Sequence, residues 1–299
     1  MLRLERAIVA RGGQVVLEPT SLDVAAGTAL AVIGRGGAGK SSLLAAAATV
    51  LPLHGGDILV DGRSCRREAA AVRRLVGYAP DRLPEWPGLG AREFLDLFAT
   101  ASGLEPARRQ RAVEDGLAFA GLSGEPTTPV DTLPSGRAKR LLLARAWLHE
   151  PQLLLLDDPC GGLDPAERRD CERSIEDARL LGRVVVAAID DALVPDCFSH
   201  VAVLKEGRLV AHGPAAPAGF PGRRWTHRLV CPTAAEEAAA SLRPLGVEPR
   251  VEDGDGVTIV TGDATASRAA CIAALVARGI AVETAAYEPA WSVQLVTDG

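Results

Sequence analysis

The sequence predicts an α/β fold: a buried, largely parallel sheet with helices on both faces, followed by a small α+β region. Two runs of apolar residues, 153–156 and 184–189, each end in acidic residues, which is typical of strands buried within a sheet. Segments with helical periodicity, at 92–122 and 137–148, separate such strands along the chain. Apolar strands that alternate with helices indicate a sheet that is covered on both sides.

The segments before these runs are predicted from their turns and breaks. Residues 2–33 are expected to form short strands, with turns at Gly12-Gly13 and Ala26-Gly27. A helix over 42–48 should end near Pro52, because proline removes a backbone donor and cannot continue a helix. One further strand is predicted within 55–62, and another that ends at 79–81.

The last quarter of the chain predicts a separate small domain. Residues 214–224 are rich in proline and glycine, which favours a linker over regular structure. Beyond this linker the order of elements is β-α-β-β-α-β, which suggests a ferredoxin-like unit over 225–299. The predicted strands are 225–231, 247–252, 257–261 and 280–287, and the predicted helices are 233–243 and 265–278.

Composition excludes several classes of protein. The chain has 299 residues, 47% of them hydrophobic, and a net charge of −5 without a basic block, so we expect no nucleic-acid partner. The six cysteines form no C-x-x-C pair and the five histidines show no metal-ligand spacing. No apolar run is long enough to cross a membrane, and the N-terminus has no signal peptide pattern. We therefore expect a cytoplasmic protein that reaches a membrane only through a partner.

A glycine-rich segment directly after the apolar run 30–33 fits the pattern G-x-x-x-x-G-K-[ST]. In this pattern, backbone N–H groups wrap the phosphates of a nucleotide and the lysine reaches the β- and γ-oxygens. The helix that follows directs its positive dipole end at the same phosphates. The predicted nucleotide-binding residues are Gly34, Arg35, Gly36, Gly37, Ala38, Gly39, Lys40, Ser41 and Ser42.

A phosphate-binding loop of this kind needs a carboxylate to complete the coordination of Mg²⁺. Asp157 stands at the end of the apolar run 153–156, where it has the position and the chemistry for this role. The Ser41 hydroxyl is the second expected ligand. The sequence therefore predicts that a nucleotide and Mg²⁺ are bound, with Ser41 and Asp157 as the metal ligands.

Several ordered motifs resemble those of the nucleotide-binding subunit of ABC transporters. Residues 141–151 resemble the segment that follows the signature motif of that family, and residues 157–165 resemble its Walker B strand end and D-loop. Residues 92–95 are similar to the start of its helical subdomain, and 203–209 to its closing hairpin. The resemblance implies a P-loop NTPase cassette with a mixed sheet core.

The resemblance covers roughly residues 1–213, and it implies that a helical subdomain occupies about 82–145. Residues 287–293 are similar to the end of exporter-type subunits that carry a C-terminal accessory domain. The family pattern also implies that two subunits meet head to tail. Each ATP then lies between the phosphate loop of one subunit and the signature motif of the other, and membrane permeases dock on the helical subdomain.

The signature segment departs from the family pattern. The family motif begins Leu-Ser-Gly-Gly-Gln, whereas residues 133–137 read Leu-Pro-Ser-Gly-Arg. Pro134 lacks both the hydroxyl and the backbone donor expected at its position. Ser135, Gly136 and Arg137 are left as the signature residues, with Ser135 offering a displaced hydroxyl.

The catalytic positions implied by the resemblance are altered as well. The glutamate that orients the attacking water is Asp158, one methylene shorter, and misplacement alone can cost about 10²-fold in rate. The lid glutamine aligns with Asp81 and the switch histidine with Asp190, where an anion would repel the γ-phosphate. The region of the aromatic residue that stacks on adenine reads Val9, Ala10 and Arg11.

The binding residues are thus retained while the hydrolytic residues are weakened. We expect an energy-coupling ATPase subunit whose activity is reduced by Pro134, Asp158, Asp81 and Asp190. Its expected partners are an integral membrane permease and a second ATP-binding subunit, identical or different.

Three alternatives stay open on the sequence. The protein could instead be an ATP-gated regulatory or binding protein without a transport role. Trp86 could dock a permease or simply pack within the helical subdomain. The C-terminal unit could bind a small effector or stabilise the dimer.

Overall fold

The computed structural model describes residues 1–83, 86–189, 194–195, 197–215, 225–230, 235–245, 250–254, 257–261, 275, 280 and 284–289. The chain divides into two compact units, Met1–Ala216 and Pro217–Gly299, and this boundary falls within the segment predicted as a linker. The assignment of the units as separate domains stays a prediction. None of the helices in the described parts of the chain is long and apolar enough to cross a membrane.

An antiparallel sheet forms one part of the first unit. Its strands are β1 (Leu2–Arg11), β2 (Gln14–Val24), β4 (Leu53–Val60) and β5 (Arg63–Ser64), in the order β2-β1-β4-β5. Leu2, Leu4 and Val9 of β1 are buried, as are Ile58 and Val60 of β4, so this sheet turns one apolar face inward. Alternating burial of this kind is typical of antiparallel sheets with one solvated face.

A second, mostly parallel sheet carries the segments predicted to bind a nucleotide. Its order is β10-β9-β3-β8-β7-β6, and only the β9–β10 pair is antiparallel. Every residue of β3, β7 and β8 is buried, which confirms the predicted α/β fold with a sheet covered on both faces. The strands are β3 (Ala29–Ile33), β6 (Val76–Ala79), β7 (Leu153–Asp157), β8 (Val184–Ile189), β9 (His200–Lys205) and β10 (Arg208–Pro214).

The described residues of this unit form six α-helices, and several of their bounds differ from the prediction. The segment 92–122 is two helices, because Gly103 is left-handed and Pro106 opens a new first turn. The helix predicted from residue 42 begins at Lys40, and the one predicted from 137 begins at Ser135. The helices are α1 (Lys40–Ala47), α2 (Ala69–Leu75), α3 (Ala91–Ala101), α4 (Pro106–Phe119), α5 (Ser135–Trp147) and α6 (Pro165–Leu180).

Helices α3, α4 and α5 pack together around buried apolar side chains, which include Leu95 and Leu117. The Trp86 ring lies edge-on to Phe94 and Phe98, with both ring centroids 6.2 Å away. Aromatic pairs favour this geometry and gain about 0.5–1.5 kcal/mol beyond their buried area. These contacts support the packing role for Trp86 over a docking role.

Helix α5 lies unusually close to β6. A Cβ atom added to Gly77 would stand 2.0 Å from the carbonyl oxygen of Ala146 and 2.8 Å from the Pro151 ring. Any side chain at residue 77 would therefore push the helix away from the strand. This close approach brings the start of α5 near the loop that follows β6.

The second unit contains a four-stranded antiparallel sheet in the order β12-β13-β11-β14. This is the order that a ferredoxin-like topology requires, but the predicted helix 265–278 lies outside the described elements, so that assignment stays a prediction. The strands predicted at 247–252 and 280–287 each end two residues later than predicted, because weakly patterned segments do not fix strand ends, and residues 247–249 and 281–283 at their predicted starts lie outside the described residues. The elements are β11 (Trp225–Val230), α7 (Ala235–Leu242), β12 (Arg250–Gly254), β13 (Val257–Thr261) and β14 (Thr284–Pro289).

Candidate nucleotide site

The phosphate loop joins the end of β3 at Ile33 to the start of α1 at Lys40. Gly39 caps the helix with φ 100°, a left-handed conformation that residues with side chains rarely adopt. A Cβ at this position would lie 2.4 Å from the carbonyl oxygen of Val16. Glycine is therefore required here both by backbone conformation and by the neighbouring strand.

The predicted loop residues form one compact turn around the lysine. The Lys40 ammonium donates to the carbonyl oxygens of Gly34 at 2.6 Å and Arg35 at 3.1 Å, and the residue is 5% exposed. The loop positions 35–37 are exposed, whereas Ala38 and Ser42 are buried. The loop thus presents its outer rim to solvent and holds a cation at its centre, which suits a phosphate.

The two predicted metal ligands lie together. The Ser41 hydroxyl donates to Oδ1 of Asp157 at 3.0 Å, across 116 positions of sequence. Asp157 ends β7 and is 7% exposed, and β8 separates β7 from β3 in the sheet. A hydroxyl and a carboxylate are the hard oxygen donors that Mg²⁺ prefers, so the residues present fit this metal.

Asp158 adopts a strained conformation at the edge of this site. Its φ is 47°, and its backbone N–H donates to the carbonyl oxygen of Ala188 at 2.9 Å. The carboxylate lies over Gly161, where a Cβ would stand 1.7 Å from Oδ2. Left-handed backbone at a residue other than glycine is uncommon and concentrates at functional sites.

Asp81 follows β6 and is held by a lysine of α5. Lys139 Nζ donates to the carbonyl oxygen of Asp81 at 2.6 Å and to its Oδ1 at 3.0 Å. The same ammonium lies 3.4 Å from the carbonyl oxygen of Asp157. The predicted lid residue therefore contacts a helix and the Walker B strand end through one cation.

The signature residues stand at the first turn of α5. Pro134 is the N-cap of the helix, Ser135 is exposed, and Arg137 pairs with Glu125 at 3.3 Å. A Cβ at Gly136 would lie 3.2 Å from Oε2 of Glu167. In the region expected to face adenine, Val9 is buried and Arg11 is exposed. Asp190 lies outside the described residues.

A cavity of about 530 Å³ brings several of the predicted residues to one place. It lies between the loop after β6 (residues 81–83, the lid), the start of α5 and the loop after β7. Asp81, Ser135, Lys139, Asp158 and Gly161 are among the residues that line it. The predicted lid residue, the signature and the candidate water-orienting carboxylate therefore line one cavity within a single chain.

Comparison with known proteins identifies the family. A family model described as ABC transporter matches residues 17–161. Over 213 residues the chain is 36% identical to the aliphatic sulfonates import ATP-binding protein SsuB of Cupriavidus necator, a match that covers 70% of this chain and 67% of that protein. The chain belongs to the ABC transporter family. It is an ATP-binding, energy-coupling subunit of that family, whose chemistry is ATP hydrolysis.

Two further similarities of this ABC subunit cover a comparable share of the chain. It is 26% identical to the linearmycin resistance ATP-binding protein LnrL of Bacillus subtilis, over 71% of this chain and 69% of that protein. A solved dimeric ATP-binding cassette in a post-hydrolysis state with ADP and Pi matches with a TM-score of 0.66 at 20% identity, over 72% of this chain and 99% of that one. The structural match confirms the predicted ABC cassette fold.

Two residues that organise this ABC subunit were not predicted from the sequence. Besides Lys139, Arg145 of α5 donates to the carbonyl oxygen of Tyr78, and its guanidinium lies 4.5 Å from the centroid of the Phe98 ring. Burial lowers the pKa of Arg145 to about 10. A signal for Lys139 was present, because it is one of only three lysines in the chain. No comparable signal marked Arg145 among the many arginines.

Proposed function

We propose that this subunit binds Mg·ATP through the residues of its phosphate loop and hydrolyses it slowly to drive a partner permease. The observation that carries this proposal is the contact between the Ser41 hydroxyl and the Asp157 carboxylate. It joins the loop to the strand end that a metal-assisted phosphate site needs. Gly34–Ser42 would cradle the phosphates, with Lys40 reaching the β- and γ-oxygens.

Ser41 and Asp157 would hold the Mg²⁺ ion, because they supply adjacent oxygen donors. When bound, the ion would neutralise charge on the phosphate oxygens. The Lys40 side chain would have to exchange its loop carbonyls for phosphate oxygens. This exchange needs only rotation of side-chain bonds, since the loop already surrounds the ammonium.

Slow hydrolysis is supported by the residues around the expected position of the attacking water. Asp158 is short and its carboxylate rests over Gly161, and Asp81 places a carboxylate where the family has the amide of a lid glutamine. Pro134 offers no backbone donor at the start of α5. Asp190 would add a further anion near the γ-phosphate. Each residue reduces the preorganised stabilisation that the transition state needs.

A second ATP-binding subunit would complete each site, since Ser135 and Gly136 present the exposed end of α5 to a partner. The dimer could be formed by two copies or by two different chains. A membrane permease would dock near residues 81–98, which would hold the subunit at the cytoplasmic face of a membrane. Residues 225–299 would form an accessory domain that binds an effector or stabilises the dimer, and transport direction stays open.

Calorimetry and phosphate release test the proposal. Wild type should bind Mg·ATP, and ATP at 100 times its Kd should raise the free energy of unfolding by about 2.7 kcal/mol. Lys40→Ala should lose this effect, whereas Arg173→Ala, an exposed residue of α6, should keep it. Phosphate release should be slow with the pure protein and with its permease. Absence of binding by wild type, or fast turnover abolished by Lys40→Ala, would overturn the proposal.

A further inference from the structure

A single buried ammonium joins three parts of the nucleotide site. The Lys139 side chain is 7% exposed. Its Nζ lies 2.6 Å from the backbone carbonyl oxygen of Asp81, 3.0 Å from Oδ1 of Asp81 and 3.4 Å from the carbonyl oxygen of Asp157. An ammonium has three hydrogens to donate, so these acceptors match its full capacity. Because each hydrogen of this buried ammonium has an acceptor, the ammonium is held in one position.

The acceptors belong to elements that are distant in sequence. Asp81 is 58 positions from Lys139 and lies in the lid after β6, whereas Asp157 is 18 positions away at the end of β7. Lys139 itself lies one turn into α5, directly behind the signature residues. A displacement at the start of α5 would therefore be transmitted both to the lid and to the strand end that carries the metal ligand.

The contact with Lys139 also changes the charge that the Asp81 carboxylate presents to a nucleotide. The Oδ1 atom of Asp81 contacts Lys139, and its Oδ2 lies 3.6 Å from Nε of Arg82. The carboxylate is 48% exposed, so Arg82 adds little, but the contact with the buried ammonium compensates its charge. Asp81 therefore does not face the phosphates as an isolated anion.

We propose that Lys139 is a positioning residue for hydrolysis, which holds the lid and the Asp157 strand end in a fixed relation to the signature helix. It does so through Asp81 and does not itself contact the nucleotide. This inference rests on the proposed function and deepens it. It assigns to the pair Lys139–Asp81 the mechanical connection between the helical subdomain and the metal-binding strand.

Lys139→Met tests the proposal, with Arg173→Met on the exposed face of α6 as the matched control. The lid amides of residues 81–83 should exchange hydrogen faster in Lys139→Met than in wild type or in the control. The kcat of ATP hydrolysis should fall by about tenfold or more, since small misplacements near the reacting groups are costly, while ATP affinity is retained. Adding Asp81→Asn to Lys139→Met should not raise lid exchange further.

Asp81→Asn alone serves as a second variant, because its half-exposed side chain tolerates the change in folding while the Lys139 contact is weakened. It should raise lid exchange in the same direction as Lys139→Met does. Unchanged lid exchange in both variants would overturn the proposal. So would a uniform rise of exchange across the whole chain, because it would mean that Lys139 serves only general stability. Failure of the proposed function appears separately, as absence of ATP binding in wild type, and lid exchange still decides the role of Lys139.

Discussion

The Ser41 hydroxyl donates a hydrogen bond to Asp157 Oδ1 at 3.0 Å, although 116 residues separate the two along the chain. Ser41 lies in the first turn of α1 and Asp157 ends β7, so the contact depends on the parallel order of β3, β8 and β7. The carboxyl ends of parallel strands meet at one edge of a sheet, and ligands bind there in open α/β folds. This contact identifies where a metal would join the phosphate loop.

Asp157→Asn should remove the effect of Mg²⁺ on ATP binding. Even residues that only support a metal ligand change metal affinity by about 10- to 100-fold, so loss of the carboxylate itself should cost at least about tenfold. Calorimetry with ATP, in EDTA and in Mg²⁺, measures the effect. Asp170→Asn, at an exposed site on α6, is the control and should behave as wild type. An equal Mg²⁺ enhancement in the Asp157 variant would contradict the assignment.

Asp158→Glu should accelerate ATP hydrolysis. The added methylene returns the carboxylate toward the attacking water, and correction of such a misplacement can recover up to about 10²-fold in rate. The same change should lower thermal stability, because the left-handed backbone at φ 47° suits Asp or Asn better than Glu. Phosphate release and a thermal melt measure the two effects.

Asp158→Asn provides the comparison for that change. It keeps the side-chain size and the tolerated backbone conformation but removes the negative charge, so the melt should stay close to wild type while turnover falls. If the Glu variant is no faster than wild type, the short side chain is not what limits the rate.

The parts of the fold and site that a single local sequence pattern determines could be predicted. The apolar run before Asp157 predicted β7 correctly, and the strand 184–189 has the bounds that were predicted, because full burial leaves consecutive apolar residues. The role of Lys139 could not be predicted, since its acceptors Asp81 and Asp157 are brought to it only by tertiary packing. The break between α3 and α4 was missed, although Gly103 and Pro106 mark it in the sequence.

Acidification should destabilise the protein through His149. Burial lowers the pKa of His149, and the positive charges of Arg145 and Arg183 lower it further. The fold therefore favours neutral imidazole, while the unfolded chain takes up its proton near pH 6.5. His149 therefore leaves the free energy of unfolding unchanged above about pH 6.5. Below that pH it lowers the free energy of unfolding, by at most about 1.4 kcal/mol per pH unit for one group.

Urea unfolding at pH 7.5 and 5.5 measures this dependence. His149→Gln should lose less stability between the two pH values than wild type does. His54 is exposed, so His54→Gln should retain the full loss. An equal loss in all three proteins would show that protonation of His149 is not coupled to folding.

Tyr78 should act as an optical reporter of the charge on Asp157. Burial and, second, the negative charge of Asp157 raise the pKa of Tyr78 to about 12, whereas an unfolded tyrosine titrates near 10. The fold favours the neutral phenol, so this contribution to stability is present below about pH 10 and is lost as the pH rises toward 12.

Ultraviolet absorbance should resolve tyrosinate formation, and Tyr78→Phe should remove the component near pH 12. In Asp157→Asn, that component should move toward pH 10 because the neighbouring anion is gone. A titration of Tyr78 near pH 10 in wild type would contradict the burial of its phenol, and an unmoved component in Asp157→Asn would show that the carboxylate does not act on it.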